Sequence, residues 1–390
     1  MNITNIIVED PSYTKILNDC KHDIDCDFIY ADEHGFIEYL SNHTLHAEIS
    51  KKIVIIAFRD IWSPGNIIDD AIEQACKVHP NSTFVLFHVF FDKTRMSTAL
   101  QACDNLHFIH VSQIIDGKEE FKNTKEVSNK NFDSEQIGLS LNRKFRPHRT
   151  ITLGMIYALH LEKYIVHTGN GIINNVCNLD TPIIQSLNWE FDIDIEPSFQ
   201  AMCNNIKRHP KWSTSYKHSI TRYNNFNDIL RPYYLDSFVE IISETTFENR
   251  LLLHSTEKTG IVTEKYLQSV YGYNFPILIS AVGTVKYLKE FLGLDLFDDI
   301  VDHSYDSIMD PFERLSTAIS SNKHLFTDTE RTKTLWKECK PRFNANLKLA
   351  REDMYDIYYN HAVSEFKKYA PLAQLEEAAV LETVNVSVQV

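Results

Sequence analysis

Short apolar runs alternate with amphipathic stretches through the first 135 residues of this chain. The runs have the length and the β-branched content of strands buried in a parallel sheet. They span residues 28–30, 52–58, 83–90 and 106–111. Between them, residues 67–78 and 97–103 carry apolar side chains at helical spacing. This order of strands and helices predicts a parallel sheet with helices on its faces.

A second alternating section follows a polar, aperiodic stretch at 116–134, which we interpret as an interdomain connection. The strands predicted there span 136–141, 238–242 and 275–282, and the helices span 148–163, 263–273 and 283–292. Residues 172–230 give no clear pattern, and from Pro311 the chain is expected to be helical to about residue 369. The pattern predicts an α/β protein with domains at 1–130 and 131–325, followed by C-terminal helices and a tail at 326–390.

Chain length and charge limit the possible classes of protein. A chain of 390 residues is too long for one simple core, so two α/β domains are expected. The formal net charge is −14, which argues against a surface that binds nucleic acid as a whole. A local basic cleft is still compatible with that charge.

Cysteine usage and hydropathy favour a cytoplasmic protein. The seven cysteines are odd in number and include no C-x-x-C pair, which is typical of scattered reduced thiols. No apolar run approaches the roughly 18 residues that a membrane span needs, and the first residues do not resemble a signal peptide. Richness in Asn, Ile, Lys, Tyr and Phe is compatible with an AT-rich viral or phage genome, in which case the location would be the host cytoplasm.

A basic cluster follows the predicted strand at 136–141. Its members fall within seven positions and are Arg143, Lys144, Arg146, His148 and Arg149. Pro147 suits a helix start, and Arg149 would then lie in the first turn, where a cation opposes the helix dipole. An anion bound at the helix start would explain that conflict, and a solvated basic turn is the alternative.

A second cluster of polar residues opens the helix predicted at 263–273. Thr263 is a suitable N-cap, and Glu264 suits a first turn for the same electrostatic reason. Capping alone therefore explains Glu264, although a carboxylate can also bind the hydroxyls of a ribose. Capping does not explain Lys265, whereas contact with a diphosphate would.

Weaker signals surround these two clusters. Glu244 and Glu248 flank a strand exit, where one could contact a ligand while the other is exposed. Gly283 opens a helix and could add backbone donors for a phosphate. The D-x-D sequences at 23–25 and 192–194 are expected by chance among 53 acidic residues, so no metal site is predicted, and 167–171 is interpreted as a turn.

Both clusters resemble motifs of a known enzyme family. Phe247-Glu248-Asn249 with Val262-Thr263-Glu264-Lys265 resembles the F-E-N-S … T-E-K signature of α-1,3-fucosyltransferases. Leu139-Ser140-Leu141-Asn142 and the arginines after it resemble the serine–asparagine strand end and arginine of that family. The wider pattern is similar to phage and viral glycosyltransferase-like proteins, and it includes Phe297-Asp298 with the Asp302-His303-Ser304-Tyr305-Asp306 run. The resemblance covers about residues 136–316 and leaves the N-terminal part without a match.

The resemblance implies a GT-B fold, in which two Rossmann-like domains face a central cleft and the C-terminal domain holds most of a nucleotide-sugar donor. It implies that Glu264 binds the donor ribose, and that Lys265 and Arg149 or Arg146 bind the diphosphate. The full donor-binding set that we carry over is Arg149, Arg146, Arg143, Asn142, Glu244, Glu248, Asn249, Thr263, Glu264 and Lys265. Neither a metal ion nor a further cofactor is expected, because these cations would neutralise the leaving diphosphate.

The resemblance leaves the donor and the general base open. Arg250 stands where the family has serine, and Ser255-Thr256-Glu257-Lys258 nearly repeats the second motif, so GDP-fucose as the donor rests on the resemblance alone. In inverting members a carboxylate of the N-terminal domain deprotonates the acceptor hydroxyl. Asp60 is our candidate because it follows the strand at 52–58, and Asp32 and Glu33 are alternatives.

The expected function is therefore an inverting, metal-independent transfer of a sugar from a nucleoside-diphosphate donor to a glycan or small-molecule acceptor. One alternative is a phage or viral DNA glycosyltransferase that acts on hydroxymethylated pyrimidines, which the net charge disfavours. The other is a nucleotide-sugar-binding or virion structural protein without catalytic activity.

Overall fold

A computed structural model describes two compact units of the chain. The described residues are 27–30, 53–57, 67–88, 98–110, 122–142, 147–168, 230–244 and 264–368. Unit 1 contains those up to 110 together with 355–368, and unit 2 contains those from 122 to 354. The residues predicted as a C-terminal part, 326–390, thus contribute to both units.

Unit 1 is built on a four-stranded parallel sheet in the order β1-β2-β3-β4. The strands are β1 Asp27–Tyr30, β2 Ile53–Ala57, β3 Thr83–His88 and β4 Leu106–His110. The helices α1 Ile67–Val78 and α2 Thr98–Gln101 precede and follow β3. Residues 84–87 of β3 are buried along their whole length, as expected for an inner strand covered on both faces.

Unit 2 contains a second four-stranded parallel sheet, in the order β6-β5-β7-β8. The strands are β5 Gly138–Leu141, β6 Ile165–Thr168, β7 Val239–Ser243 and β8 Phe275–Ile279. The chain passes from β5 to β6 on one side and then returns to β7 on the other. The carboxyl ends of β5 and β7 therefore lie at a topological switch point, where open α/β sheets leave a crevice.

Helices follow and precede the strands of unit 2. They are α3 Pro147–Ala158, α4 Arg231–Asp236, α5 Glu264–Gly272 and α6 Thr284–Glu290. The later described elements are α7 Pro311–Ser321, α8 His324–Thr327, α9 Thr329–Glu338, α10 Lys340–Lys348, a π-helical turn at Leu349–Asp353 and α11 Met354–Lys367. The α/β class and the parallel sheets that the sequence predicts are confirmed. None of the helices in the described part of the chain combines the length and apolar character needed to cross a bilayer.

The helices after Pro311 cover the sheet of unit 2 with aromatic side chains. Nε1 of Trp336 donates to the carbonyl of Tyr273 at 2.6 Å. The ring of Phe343 packs against those of Phe275 and Phe297, with centroid distances of 5.2 and 4.5 Å. These contacts bury large apolar surfaces next to β8 and give that strand a fixed position.

Two short elements, β6 and α4, differ from the sequence prediction. His167 and Thr168, interpreted there as part of a turn, form the end of β6. This strand has only four residues, and only Ile165 and Val166 are aliphatic, so its pattern is too short to identify. The helix α4 was missed because it lies next to a region without clear periodicity.

Candidate functional site

Polar side chains of unit 2 gather at the carboxyl ends of β5 and β7. Ser140 and Asn142 stand at the end of β5 and are buried, and Nδ2 of Asn142 donates to Oγ of Ser140 at 3.0 Å. Ser243 and Glu244 stand at the end of β7 and are also buried. Because parallel strands end at the same edge, residues separated by about 100 positions in sequence become neighbours here.

The first turn of α3 turns its basic residues toward Glu244. Nε2 of His148 donates to the carbonyl of Glu244 at 2.9 Å, and Nη2 of Arg149 donates to the same oxygen at 3.2 Å. Both side chains are about 4% exposed, so they are not part of a solvated turn. A fixed arginine in the first turn of a helix opposes the dipole, and the carbonyl of Glu244 offsets part of that cost.

The first turn of α5 contributes Lys265 to the same place. Nζ of Lys265 lies 3.6 Å from Oε2 of Glu244. The carboxylate is 1% exposed, whereas the lysine side chain is 19% exposed. The backbone N–H of Glu244 donates to the carbonyl of Ile279 at 3.0 Å, which joins the ends of β7 and β8. Glu244 thus contacts α3, α5 and β8, and both cations lie against it.

The structure brings together four of the predicted donor-binding residues, namely Asn142, Arg149, Glu244 and Lys265. Glu264 is the first residue of α5, and only its backbone is described. The other predicted residues fall outside the described ranges, and they are Arg143, Arg146, Glu248, Asn249, Thr263 and the candidate base Asp60. The same holds for Asp32, Glu33 and both D-x-D sequences.

The carboxylate of Asp306 binds the backbone N–H groups at the start of α6, where the sequence suggested a phosphate site. Gly283 precedes the helix with φ of 79°, a left-handed conformation that glycine adopts without strain. Oδ1 of Asp306 accepts from the N–H of Val285 and Oδ2 from that of Lys286, both at 3.0 Å. Burial raises the pKa of Asp306, while these two donors act against that rise. The backbone donors of α6 are therefore already bound, and the suggested phosphate role of Gly283 is not supported.

The run from Asp302 to Asp306 has a structural role, because its side chains bind the backbone of β8 and of α6. The hydroxyl of Tyr305 accepts from the N–H of Leu278 at 2.9 Å, on the strand that forms one edge of the described sheet. Nδ1 of His303 lies 3.0 Å from that hydroxyl, and its Nε2 lies 3.0 Å from the carbonyl of Leu296. Burial lowers the pKa of His303. This run satisfies an edge strand and caps a helix, so its recurrence in a motif does not require contact with a ligand.

An open cavity of about 870 Å³ lies between α6 and residues 298–307. Its wall includes Val282 and Gly283 on one side and residues 298–304 on the other. The charged side chains of the wall include Lys286, Lys289, Asp298 and Asp302. Val282 and Gly283 follow β8, but Asn142, Arg149, Glu244 and Lys265 do not belong to the wall of the cavity.

Two residues near the carboxyl ends of β5 and β7, His148 and Ser243, were not predicted as site residues from the sequence. His148 was noted only as one member of a basic cluster, although it donates to Glu244 from the first helical turn. Ser243 directly precedes Glu244 and is buried, but a single serine at a strand end is not a signal. Among the described residues, no group of three or more His, Cys, Asp and Glu side chains is arranged to hold a metal ion.

Comparison of this chain with protein-family models, with curated proteins and with solved structures finds no match.

Proposed function

We propose that the protein is a GT-B-type glycosyltransferase that uses a nucleoside-diphosphate sugar. The observation that carries this proposal is the convergence of Arg149 and Lys265 on Glu244 at the switch point of a parallel sheet. Their helices begin where ligands bind in open α/β sheets, beyond the carboxyl ends of the strands.

The two cations suit a diphosphate. Arg149 and Lys265 stand in the first turns of helices of twelve and nine residues, whose starts favour anions through free N–H groups and the helix dipole. An arginine supplies a planar fork of donors, whereas a lysine supplies a mobile point charge. In sugar transfer, negative charge develops on the departing diphosphate, and cations fixed beforehand stabilise that charge without reorganisation.

The cavity next to β8 suits the remaining part of a nucleotide. Acidic side chains such as Asp298 and Asp302 can accept hydrogen bonds from the hydroxyl and amino groups of a nucleoside. Its volume falls within the usual range for small-molecule pockets.

The chemistry proposed is inverting and independent of a metal ion. A carboxylate would remove the proton of the acceptor hydroxyl while its oxygen attacks the anomeric carbon, and Asp60 remains our candidate for that base. The acceptor would be a glycan or a small molecule. A GDP-linked donor follows only from the resemblance to fucosyltransferases.

A thermal-shift screen with GDP-, UDP-, CMP- and dTDP-linked sugars tests the proposal. A donor at 100 times its dissociation constant is expected to stabilise the protein by about 2.7 kcal/mol. Lys265→Ala and Arg149→Lys should weaken this response, because one removes a cation and the other removes the fork. Lys348→Ala is the matched control, since this lysine is exposed at the end of α10.

Two outcomes would contradict the proposal. The absence of a response to every nucleotide sugar would rule out the transferase, and an unchanged response in Lys265→Ala would rule out the site. Donor binding without hydrolysis or transfer would favour a non-catalytic binding protein. Transfer to hydroxymethylated duplex DNA, with steep loss of binding as salt rises, would favour a DNA glycosyltransferase instead.

A further inference from the structure

Glu244 makes two separable kinds of contact in the candidate site. Its backbone carbonyl accepts hydrogen bonds from His148 and Arg149 on α3. Its carboxylate lies 3.6 Å from Nζ of Lys265 on α5. Any residue at position 244 would keep the carbonyl, so a substitution of the side chain removes the ion pair with Lys265 and leaves this acceptor in place.

We propose that Glu244 is a positioning residue that competes with a bound nucleoside diphosphate for Lys265 and so limits how tightly this leaving group is held. The inference rests on the proposed function, and it assigns Glu244 a role distinct from donor binding. Without a ligand, the carboxylate holds Lys265 at the edge of the site. When a diphosphate enters, the ammonium divides its charge between the two anions.

The burial of the carboxylate makes this competition costly for the ligand. Glu244 is 1% exposed, and water cannot replace the charge of a departing lysine at such a position. Drawing Lys265 toward a diphosphate therefore leaves a buried carboxylate with less compensation. The carboxylate also repels the phosphate oxygens directly, at distances where Coulomb interactions in a protein remain strong.

The consequence concerns the end of a catalytic cycle. Once the sugar has been transferred, the nucleoside diphosphate carries one more negative charge than it did as part of the donor. A site with two uncompensated cations would retain this product and slow the next turnover. Glu244 offsets one of those cations and favours release of the product, which is often the slow step of an enzyme.

Glu244→Gln tests the proposal, because glutamine keeps the shape and the carbonyl but removes the charge. Binding of GDP and UDP is measured by calorimetry at 0.15 M salt, and dissociation by stopped flow. We expect the variant to bind the preferred diphosphate roughly tenfold more tightly, with a slower dissociation rate. In a Lys265→Met background the same change should produce less tightening, because only the direct repulsion of the phosphate oxygens by the carboxylate is then removed.

Controls separate this inference from the proposed function. Glu338→Gln, at an exposed position of α9, removes the same charge elsewhere in unit 2 and should leave both constants unchanged. Glu244→Asp keeps the charge but draws it back from Lys265, so a smaller tightening is expected if the glutamine variant does not fold. Tightening that is absent or reversed in a chain whose wild type binds a diphosphate would overturn the role of Glu244. Failure of the wild type to bind any diphosphate would instead overturn the proposed function.

Discussion

Nζ of Lys130 donates to Oδ1 of Asn274 at 2.7 Å, across 144 positions of sequence. The same ammonium donates to the carbonyl of Tyr234 at 2.7 Å and to that of Gly272. All three donors of the lysine are thus engaged at the amino ends of β7 and β8, at the edge of the sheet opposite the candidate site. Residues 122–134, the described part of the predicted polar connection, are therefore anchored in unit 2.

Lys130→Met should destabilise the protein by about 2–4 kcal/mol, because three buried acceptors lose their donor. Urea unfolding measures the loss. Lys125→Met, in the same segment but exposed, is the matched control and should cost less than about 0.5 kcal/mol. Equal effects of the two substitutions would show that the ammonium of Lys130 does not stabilise the fold.

Glu240 should make stability fall as the pH rises. Burial raises its pKa in the folded protein to about 8, against 4.5 as its ordinary value, although Tyr234 donates to its Oε1 at 2.8 Å. Below pH 4.5, the ordinary pKa, Glu240 is protonated in the folded and in the unfolded protein. Between pH 4.5 and about 8, Glu240 is protonated in the folded protein and ionised in the unfolded protein. Each rise of one pH unit in this range therefore lowers the free energy of unfolding, until Glu240 ionises in the folded protein as well.

Glu240→Gln removes this titration and should be more stable than the wild type by on the order of 3 kcal/mol at pH 9, with little difference at pH 5. Urea unfolding at both pH values checks the expectation. Glu338→Gln serves again as the control for a charge at an exposed position. A pH dependence that persists undiminished in Glu240→Gln would assign the effect to another group.

Asp306→Ala should cost about 1–3 kcal/mol, because the buried N–H of Val285 and the half-buried N–H of Lys286 lose their acceptor at the start of α6. Asp328→Ala is the matched comparison, since this N-cap of α9 accepts a single bond from the N–H of Arg331 at 3.2 Å in an exposed position. Thermal unfolding of both variants compares the two caps. A larger loss at Asp328 than at Asp306 would contradict the expected order.

Gly272→Ala should destabilise the protein more than Gly293→Ala. A methyl group at Gly272 would lie 2.0 Å from Cδ1 of Tyr234, whose ring is fully buried. Such overpacking costs roughly 1–3 kcal/mol or more. At Gly293 nothing lies within 4 Å, and only φ of +75° opposes a side chain, at about 1 kcal/mol. Chemical unfolding of both variants ranks them, and the reverse order would refute the clash with Tyr234.

Local pattern was sufficient for the larger elements. The helix Ile67–Val78 has the predicted bounds, and Pro147 begins α3 as its missing N–H suggests. The placement of Arg149 and Lys265 at one edge of the sheet was also predictable, because parallel strands end at one edge and both residues follow such ends. That reasoning needed no knowledge of the sheet order.

Long-range polar pairing could not be predicted in the same way. Glu244 was predicted as a donor-binding residue, but nothing in the sequence predicted that its carboxylate would lie next to Lys265. Asp306 binds a helix start that lies 20 residues earlier, so no local signal distinguishes it from an exposed acidic residue. Such contacts depend on which strands become neighbours, and periodicity does not contain that information.

The anchoring of the segment before β5 has a practical consequence for protease mapping and truncation. Arg351 donates to the carbonyl of Thr124 at 2.6 Å and to the carboxylate of Glu126, and the N–H of Val127 donates to the carbonyl of Tyr271. Trypsin should therefore cleave after Lys130 only when the protein unfolds. A shortened polypeptide that is to retain a stable unit 2 must begin before Lys122, and one that begins at β5 should aggregate on expression.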